Sequence, residues 1–290
     1  MQKERRKPDN FFHQPVLLKE TMTFLRILRG RRYIDATVGG GGHAVEILKR
    51  GGRVLGIDCD PIALDRLQSI CKDPALTLVR GNFAYLRKIA QKAGFSKVAG
   101  VLFDLGVSSY QLADPARGFS FGSSFPPDMR MDPSLKTTAA DLVNSLKKEE
   151  LYEIFSKFGE EKHAFRVAEA IICTRALKPI ESCRELTEII LGAGGSEKRC
   201  FQALRIAVNN ELENLKKALP QAVDLLEQGG RLVVISFHSL EDRIVKVFFR
   251  RREKGGDFRV LTRKPVCPTE EEIERNPRSR SAKMRVGEKS

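Results

Sequence analysis

Long apolar runs are missing from this chain of 290 residues. No stretch of about 18 apolar residues occurs, so no membrane-spanning helix is expected. The opening residues Met1–Asn10 are charged and have no apolar centre, which argues against a secretory signal. Cysteine is sparse and badly spaced for ligation. Cys59, Cys71, Cys173, Cys183, Cys200 and Cys267 include no Cys-x-x-Cys pair. Neither a zinc site nor a disulfide framework is expected, no metal is expected, and incidental or buried thiols in a reducing cytoplasm fit. Internal repeats are absent. What remains, 41% hydrophobic and 30% charged residues, describes a globular chain with room for one large domain or one domain carrying an insertion.

Negative charge is also in short supply. The formal net charge is +14, and it is uneven. Arg243–Ser290 holds 15 Lys and Arg against 7 Asp and Glu. The N-terminus adds Lys3, Arg5, Arg6 and Lys7 against Glu4. A localised excess points to a polyanionic partner, a nucleic acid, with a solvated basic surface as the plainer alternative.

The first third alternates apolar runs with helical patterns. Strands are expected at Tyr33–Val38, Arg53–Asp58, Leu76–Arg80 and Val98–Leu105, with helices near Ala44–Lys49, Pro61–Cys71 and Ala84–Ala93. This βαβαβ rhythm predicts a parallel sheet with right-handed crossovers. The rhythm stops at Gly106. Gly118–Pro133 reads as a long ordered loop, and helical periods follow at Lys148–Lys157, His163–Arg175 and Arg184–Leu191. Helices at Gln202–Leu219 and Pro220–Gln228, stopped by Gly229-Gly230, lead back to a buried strand at Arg231–Phe237 and an amphipathic helix at Leu240–Arg252. Short extended pieces near Arg259–Arg263 and Lys283–Val286 can close the sheet as an antiparallel pair. The expected organisation is therefore a discontinuous α/β domain, 1–108 and 198–290, interrupted by a mostly helical domain at 109–197. About seven strands with a terminal hairpin suit an S-adenosylmethionine (SAM) methyltransferase better than a dinucleotide dehydrogenase, which should show two βαβαβ halves.

The first strand runs straight into Gly39-Gly40-Gly41-Gly42-His43 and a helix start, and Asp58 ends the next strand. Glycines let a ligand approach the backbone, the helix start favours an anionic group, and the acid can accept ribose hydroxyls. Gly39-x-Gly41-x-x-Ala44 also satisfies a dinucleotide pattern, so NAD competes. Asp58 is favoured over Asp60 for the ribose, since Asp60 precedes Pro61 and can cap the helix. Phe83, after the third strand, can lie on an adenine or belong to the core. Asp104 ends the fourth strand, where it can orient a cofactor amine or contact a methyl acceptor.

Longer blocks carry a resemblance. They are His13-Gln14-Pro15-Val16-Leu17-Leu18, Asp35-x-Thr37-x-Gly39-x-Gly41-Gly42-His43, Asp104-Leu105-Gly106-Val107-Ser108-Ser109-x-Gln111-Leu112, Arg117-Gly118-Phe119-Ser120-Phe121, Asp128-Met129-Arg130-Met131-Asp132, Phe158-Gly159-Glu160-Glu161, Phe201-Gln202-Ala203-Leu204-Arg205-Ile206, Ser236-Phe237-His238-Ser239-Leu240-Glu241-Asp242-Arg243 and Asn276-Pro277-Arg278-Ser279-Arg280-Ser281. Together they closely resemble the bacterial 16S ribosomal RNA (cytosine-N4)-methyltransferases of MraW (RsmH) type over nearly the whole chain. The resemblance implies a Rossmann-like class I SAM methyltransferase sheet with an inserted helical domain. It implies methylation of the exocyclic amine of a decoding-centre cytidine in the small ribosomal subunit. It places cofactor contacts on Gly41, Gly42, His43, Asp58, Phe83, Asp104 and Gln111. Ala113, Pro127 and Glu169 depart from the family pattern, and Glu169 puts an RNA contact of the insertion in doubt.

The cytosine amine is a poor nucleophile because its lone pair is delocalised into the ring, so an acceptor such as Asp104 would draw it towards tetrahedral geometry and receive the proton. His238, at the end of the fifth strand, can orient the base or serve the fold. Glu241 and Asp242 open the next helix as ordinary dipole partners. Tyr110 can stack on a flipped base or sit at the surface. Arg117, Arg130, Arg278 and Arg280 are candidate phosphate contacts. Phe119, Phe121 and Phe125 can stack on unpaired bases, with burial against the sheet expected for at least two. A dinucleotide-dependent oxidoreductase and a non-catalytic RNA-binding assembly factor are the competing classes. Oligomeric state, homodimer or otherwise, is not set by the sequence.

Overall fold

The computed structural model describes residues 15–290. His13, Gln14 and the basic Lys3, Arg5, Arg6 and Lys7 lie outside the described residues. The described residues divide into two compact units: 15–58, 62–106 and 218–290 form the first, and 59–61 with 107–217 form the second.

The first unit is built on seven strands: β1 Arg32–Asp35, β2 Arg53–Asp58, β3 Leu76–Arg80, β4 Val98–Asp104, β5 Leu226–Ser236, β6 Phe258–Val260 and β7 Lys283–Lys289. Their order is β3-β2-β1-β4-β5-β7-β6. The first five are parallel, and β7 inserts antiparallel beside β5 and pairs with β6. This is an α/β Rossmann-like sheet with a terminal antiparallel hairpin. β1 and β4 read as nearly continuous buried runs because crossover helices cover both faces of such a sheet. Helices α1 Leu18–Leu25, α2 Gly42–Lys49, α3 Pro61–Ile70 and α4 Leu86–Lys92 belong to this half of the chain. Leu17, Met22, Ile47, Leu67, Leu102, Val233 and Met284 are among the residues of its core.

The second unit is helical. It contains α5 Ser109–Ala113, α6 Ala139–Ser145, α7 Lys148–Gly159, α8 Ala164–Leu177, α9 Cys183–Gly192 and α10 Glu197–Asn209, and it takes the first part of α11 Glu211–Leu225. Phe119, Val143, Phe155, Ile171, Leu186 and Leu204 lie in its own core. Cys183 and Cys200 are buried there too, and burial pushes their thiols up to about 11 and about 12. The unit extends to Lys217, past the boundary expected at residue 197, and includes 59–61. The remaining helices, α12 Ser239–Lys254 and α13 Glu270–Arg275, belong to the sheet unit.

Two local expectations fail for identifiable reasons. The break placed at Pro220 lies at Asn210, whose φ of 52° is one that asparagine tolerates, and the helix runs through Pro220. Gly229-Gly230 does not stop a helix. Helix α11 has already ended, and the pairing jumps from Leu226 opposite Val98 to Arg231 opposite Gly100, so the glycines mark a bulge in β5. No helix among the described residues is long and apolar enough to cross a membrane.

Candidate active site

Three neighbouring parallel strands each end on an aspartate: β1 on Asp35, β2 on Asp58 and β4 on Asp104. Strand carboxyl ends are where ligands bind in open α/β sheets. The register sets Asp35 opposite Gly56 and Leu102, so Asp58 and Asp104 each stand two residues further along their strands. Asp35 is 1% exposed, and burial, with the Asp58 charge adding to it, pushes its carboxyl up to about 7 against the pull of the Thr37 N–H. Asp104 is raised well above the ordinary carboxylate range, chiefly by burial and then by the charges of Asp35 and Glu241. Its Oδ1 is buried with no hydrogen-bond partner.

The glycine turn is clamped from several sides. The Gly39 N–H donates to Asp58 Oδ2 at 2.8 Å, and the Gly41 N–H donates to the Val38 carbonyl at 2.7 Å. Gly41 caps α2 at φ +80°, and a Cβ there would lie 2.3 Å from Leu67 Cδ1. Only glycine meets both demands. The His43 ring is 4% exposed, and its Nε2 lies 3.0 Å from the Val16 carbonyl. A carbonyl only accepts, so Nε2 carries the hydrogen and Nδ1 faces Asp104 Oδ2 at 3.6 Å. The imidazole is thus part of the wall linking α2 to β4. The Asp104 N–H donates to Thr37 Oγ1 at 2.6 Å, which ties the same two strand ends together.

Phe83 opens a short 3-10 turn capped by Asn82 and is half-buried, edge-on to Phe103 at 5.6 Å. Asp58 is likewise only partly buried. At the end of β5, Glu241 is 2% exposed and caps the first turn of α12. Its Oε2 accepts from Phe237 N at 2.9 Å and His238 N at 3.4 Å. Its Oε1 lies 3.3 Å from His238 Nε2, within ion-pair reach but without hydrogen-bond geometry. Both ring nitrogens of His238 are buried without a hydrogen-bond partner. Asp242 instead receives Arg285, at 2.6 and 3.0 Å.

In the helical unit the expected site residues are occupied within the protein. Gln111 is buried and donates to Asp60 Oδ2 at 3.0 Å, while its Oε1 closes a capping box with Ser108. Arg117 donates to the same Asp60 oxygen at 2.7 Å and to the carbonyls of Arg130 and Met131 at 2.8 and 3.0 Å. Arg130 binds Asp128 through two donors and caps the Pro133 and Leu135 carbonyls. Both arginines therefore brace the Gly118–Pro133 loop, where the sequence suggested phosphate contacts. Asn209 completes the brace, accepting from Met131 N and donating to the Met129 carbonyl. Phe119 is buried and Phe121 stands edge-on to Phe201 at 4.8 Å, so both pack in the helical core, not against the sheet; Phe125 is exposed. Tyr110 is half-buried. Arg278 and Arg280 are exposed on the 3-10 turn Pro277–Ser281 of the sheet unit.

Sequence reasoning missed Asp35 and the buried status of Glu241. For Asp35 a signal was available, since strand after strand ends in aspartate. For Glu241 there was none, because in sequence it resembles any acid in a first helical turn.

Comparison with known proteins finds relatives over nearly the whole chain. The sequence profile described as the MraW methylase family matches residues 10–290. The chain is 49% identical to the ribosomal RNA small subunit methyltransferase H of Thermomicrobium roseum, over 96% of this chain and 93% of that protein. It is 47% identical to the protein of the same name from Carboxydothermus hydrogenoformans, over 96% and 98%. Among solved structures it is similar to an rRNA methylase from Streptococcus thermophilus, with 12% identity, a TM-score of 0.47, and 96% and 98% of the two chains covered.

Proposed function

The chain belongs to the MraW methylase family, and from that premise we propose that it transfers a methyl group from SAM to the exocyclic amine of a decoding-centre cytidine in 16S ribosomal RNA, acting on the small ribosomal subunit in the cytoplasm. The observation that carries the cofactor reading is the acid rim of Asp35, Asp58 and Asp104 with Glu241 behind it, in a protein of net charge +14. A cation placed among these carboxyls draws them back to the charged form that burial and mutual repulsion disfavour. A sulfonium donor brings positive charge to that rim, whereas the pyrophosphate of a dinucleotide would bring negative charge to it.

The residues fit such a donor. Asp58, tethered to the glycine turn, accepts ribose hydroxyls. The backbone of Gly41 and Gly42 at the start of α2 meets the donor's carboxylate. Phe83 offers a ring beside the adenine. His43 acts by joining α2 to Asp104. When bound, the donor supplies an electrophilic methyl group and a neutral leaving group. Asp104 accepts a hydrogen bond from the target amine at Oδ1 and takes the proton released. Its raised proton affinity makes it a stronger base than an ordinary carboxylate. His238, with both ring nitrogens unmatched at the adjoining strand end, orients the pyrimidine. Tyr110 is the candidate to stack on an unpaired base, and Arg278 and Arg280 contact phosphate.

The test is to incubate small ribosomal subunits from cells lacking this enzyme with isotope-labelled SAM and identify the modified nucleoside by mass spectrometry. Label in N4-methylcytidine of 16S RNA is expected. Label in another nucleoside, or none, overturns the substrate assignment.

A further inference from the structure

Away from the acid rim, between α12 and the β6–β7 hairpin of the sheet unit, lies a cleft of about 110 Å³ lined by four cations, Lys246, Arg250, Arg263 and Arg285. We infer that this cleft is a phosphate subsite for the RNA backbone; the inference rests on the RNA substrate proposed above.

Two of the cations are paired with acids, Arg285 in the interior and Arg263 at the surface. Arg285 is 6% exposed and makes its two bonds to Asp242. Arg263 Nη1 donates to Glu253 Oε2 at 2.7 Å, and the other oxygen of Glu253 accepts from Val260 N at 3.0 Å. Glu253 thereby holds Arg263 against the edge strand. The other two are uncommitted. Lys246 and Arg250 are four residues apart on α12 and so share a face. Neither side chain makes a hydrogen bond or ion pair with another described residue. The cleft thus combines two guanidinium groups paired with acids and two cations without such partners.

Size and surroundings select the ligand. At about 110 Å³ the space is several times what one water needs, so a phosphate or a hydrated oxyanion fits it. Phe249 and Val260 contribute apolar lining, which excludes water from one side and strengthens charge-assisted bonds. The cleft lies within the Arg243–Ser290 segment with its 15 basic and 7 acidic residues, so phosphates flanking the bound one are attracted as well. A continuous phosphodiester chain fits that pattern better than a single free anion. Such contacts position the RNA without reading its sequence.

The experiment compares wild-type enzyme, Lys246→Gln with Arg250→Gln, and a control pair at exposed lysines of the same unit, Lys49→Gln with Lys92→Gln. Binding to unmethylated small ribosomal subunits is measured over a range of salt, with SAM affinity measured in parallel to certify the fold. Each lost phosphate contact flattens the log–log salt slope by about 0.7–0.9. The cleft variant should lose about 1–2 from that slope and bind subunits several-fold more weakly, with SAM affinity intact and the control pair unchanged. A cleft variant with the wild-type slope overturns the subsite. Equal losses in both pairs also overturn it, because the charge would then act only in bulk. If inorganic phosphate at millimolar levels restores nothing and displaces nothing while both pairs bind as wild type, the cleft is not an anion site at all. Failure of the wild-type enzyme to bind subunits would instead remove the RNA reading on which the subsite stands.

Discussion

The helical unit and the sheet unit treat buried polarity in opposite ways. In the helical unit Asp60, Gln111, Arg117, Arg130 and Asn209 are matched donor to acceptor, and the result is a braced loop. In the sheet unit Asp104 Oδ1 and both nitrogens of His238 are buried without partners, and Asp35 and Asp104 hold their protons more tightly than exposed carboxyls do. An unmatched polar atom in a low-dielectric setting costs stability, so its persistence at adjoining strand ends marks chemistry, while a saturated network marks architecture. Conspicuous polar residues in a sequence do not reveal which of the two they are.

The contrast can be broken most strongly from the helical side. Arg117→Met removes the 2.7 Å ion pair to Asp60, which is 2% exposed. A buried carboxylate stripped of its cation costs about 3–5 kcal/mol, to be read from urea unfolding. Adding Asp60→Asn should recover part of the loss. A loss near zero would show that the brace carries no weight.

From the sheet side, Asp35 gives a pH test. Its carboxyl titrates at about 7 in the fold, so the folded chain binds this proton more tightly than the unfolded chain does. The contribution is present in full below the unfolded value and is lost as pH rises through about 7, an effect of about 4 kcal/mol at 1.36 kcal/mol per pH unit. Asp35→Asn should therefore flatten the fall in stability between about pH 4 and pH 7 and be the more stable protein above it. A slope as steep as wild type would assign the pH dependence to other groups.

Smaller effects sharpen the ligand assignment. Asp58→Ala should weaken SAM binding roughly 10- to 100-fold, the worth of a hydrogen bond to a charged group; calorimetry giving an unchanged affinity would remove Asp58 from the ribose. Arg278→Ala with Arg280→Ala should lower RNA affinity several-fold and flatten its salt slope by about 1–2, with SAM affinity unchanged. An unaltered slope would show that this exposed turn does not touch RNA.

Much of the sheet was legible beforehand. β2 and β3 fall at the expected limits, because apolar runs bounded by charge leave little freedom of register. β1 ends at Asp35, short of Val38, since Thr37 and Val38 turn their polar groups to neighbouring strand ends: Thr37 Oγ1 to Asp104 N, Val38 N to the Ile57 carbonyl. The helical unit was less legible. Thr138-x-x-Asp141 is a capping box that announces α6, yet this helix lies between the expected loop, which ends at Pro133, and the first expected helix, which starts at Lys148. Arg117 and Arg130 resemble phosphate ligands in sequence because a sequence displays donors but not the acceptors that folding brings to them. His43 was expected among the cofactor contacts; its ring is held by the Val16 carbonyl, a partner 27 residues away that no local pattern reveals.

The most direct measurement is single-turnover methyl transfer by Asp104→Asn at saturating SAM, with donor affinity determined on the same protein. The expected result is SAM binding within about tenfold of wild type and a transfer rate lowered by about 10²–10⁴, the worth of a positioned general base. A normal rate at saturation with donor binding lost would make Asp104 a cofactor ligand alone, and would contradict the claim that its unpartnered oxygen takes the proton of the target amine.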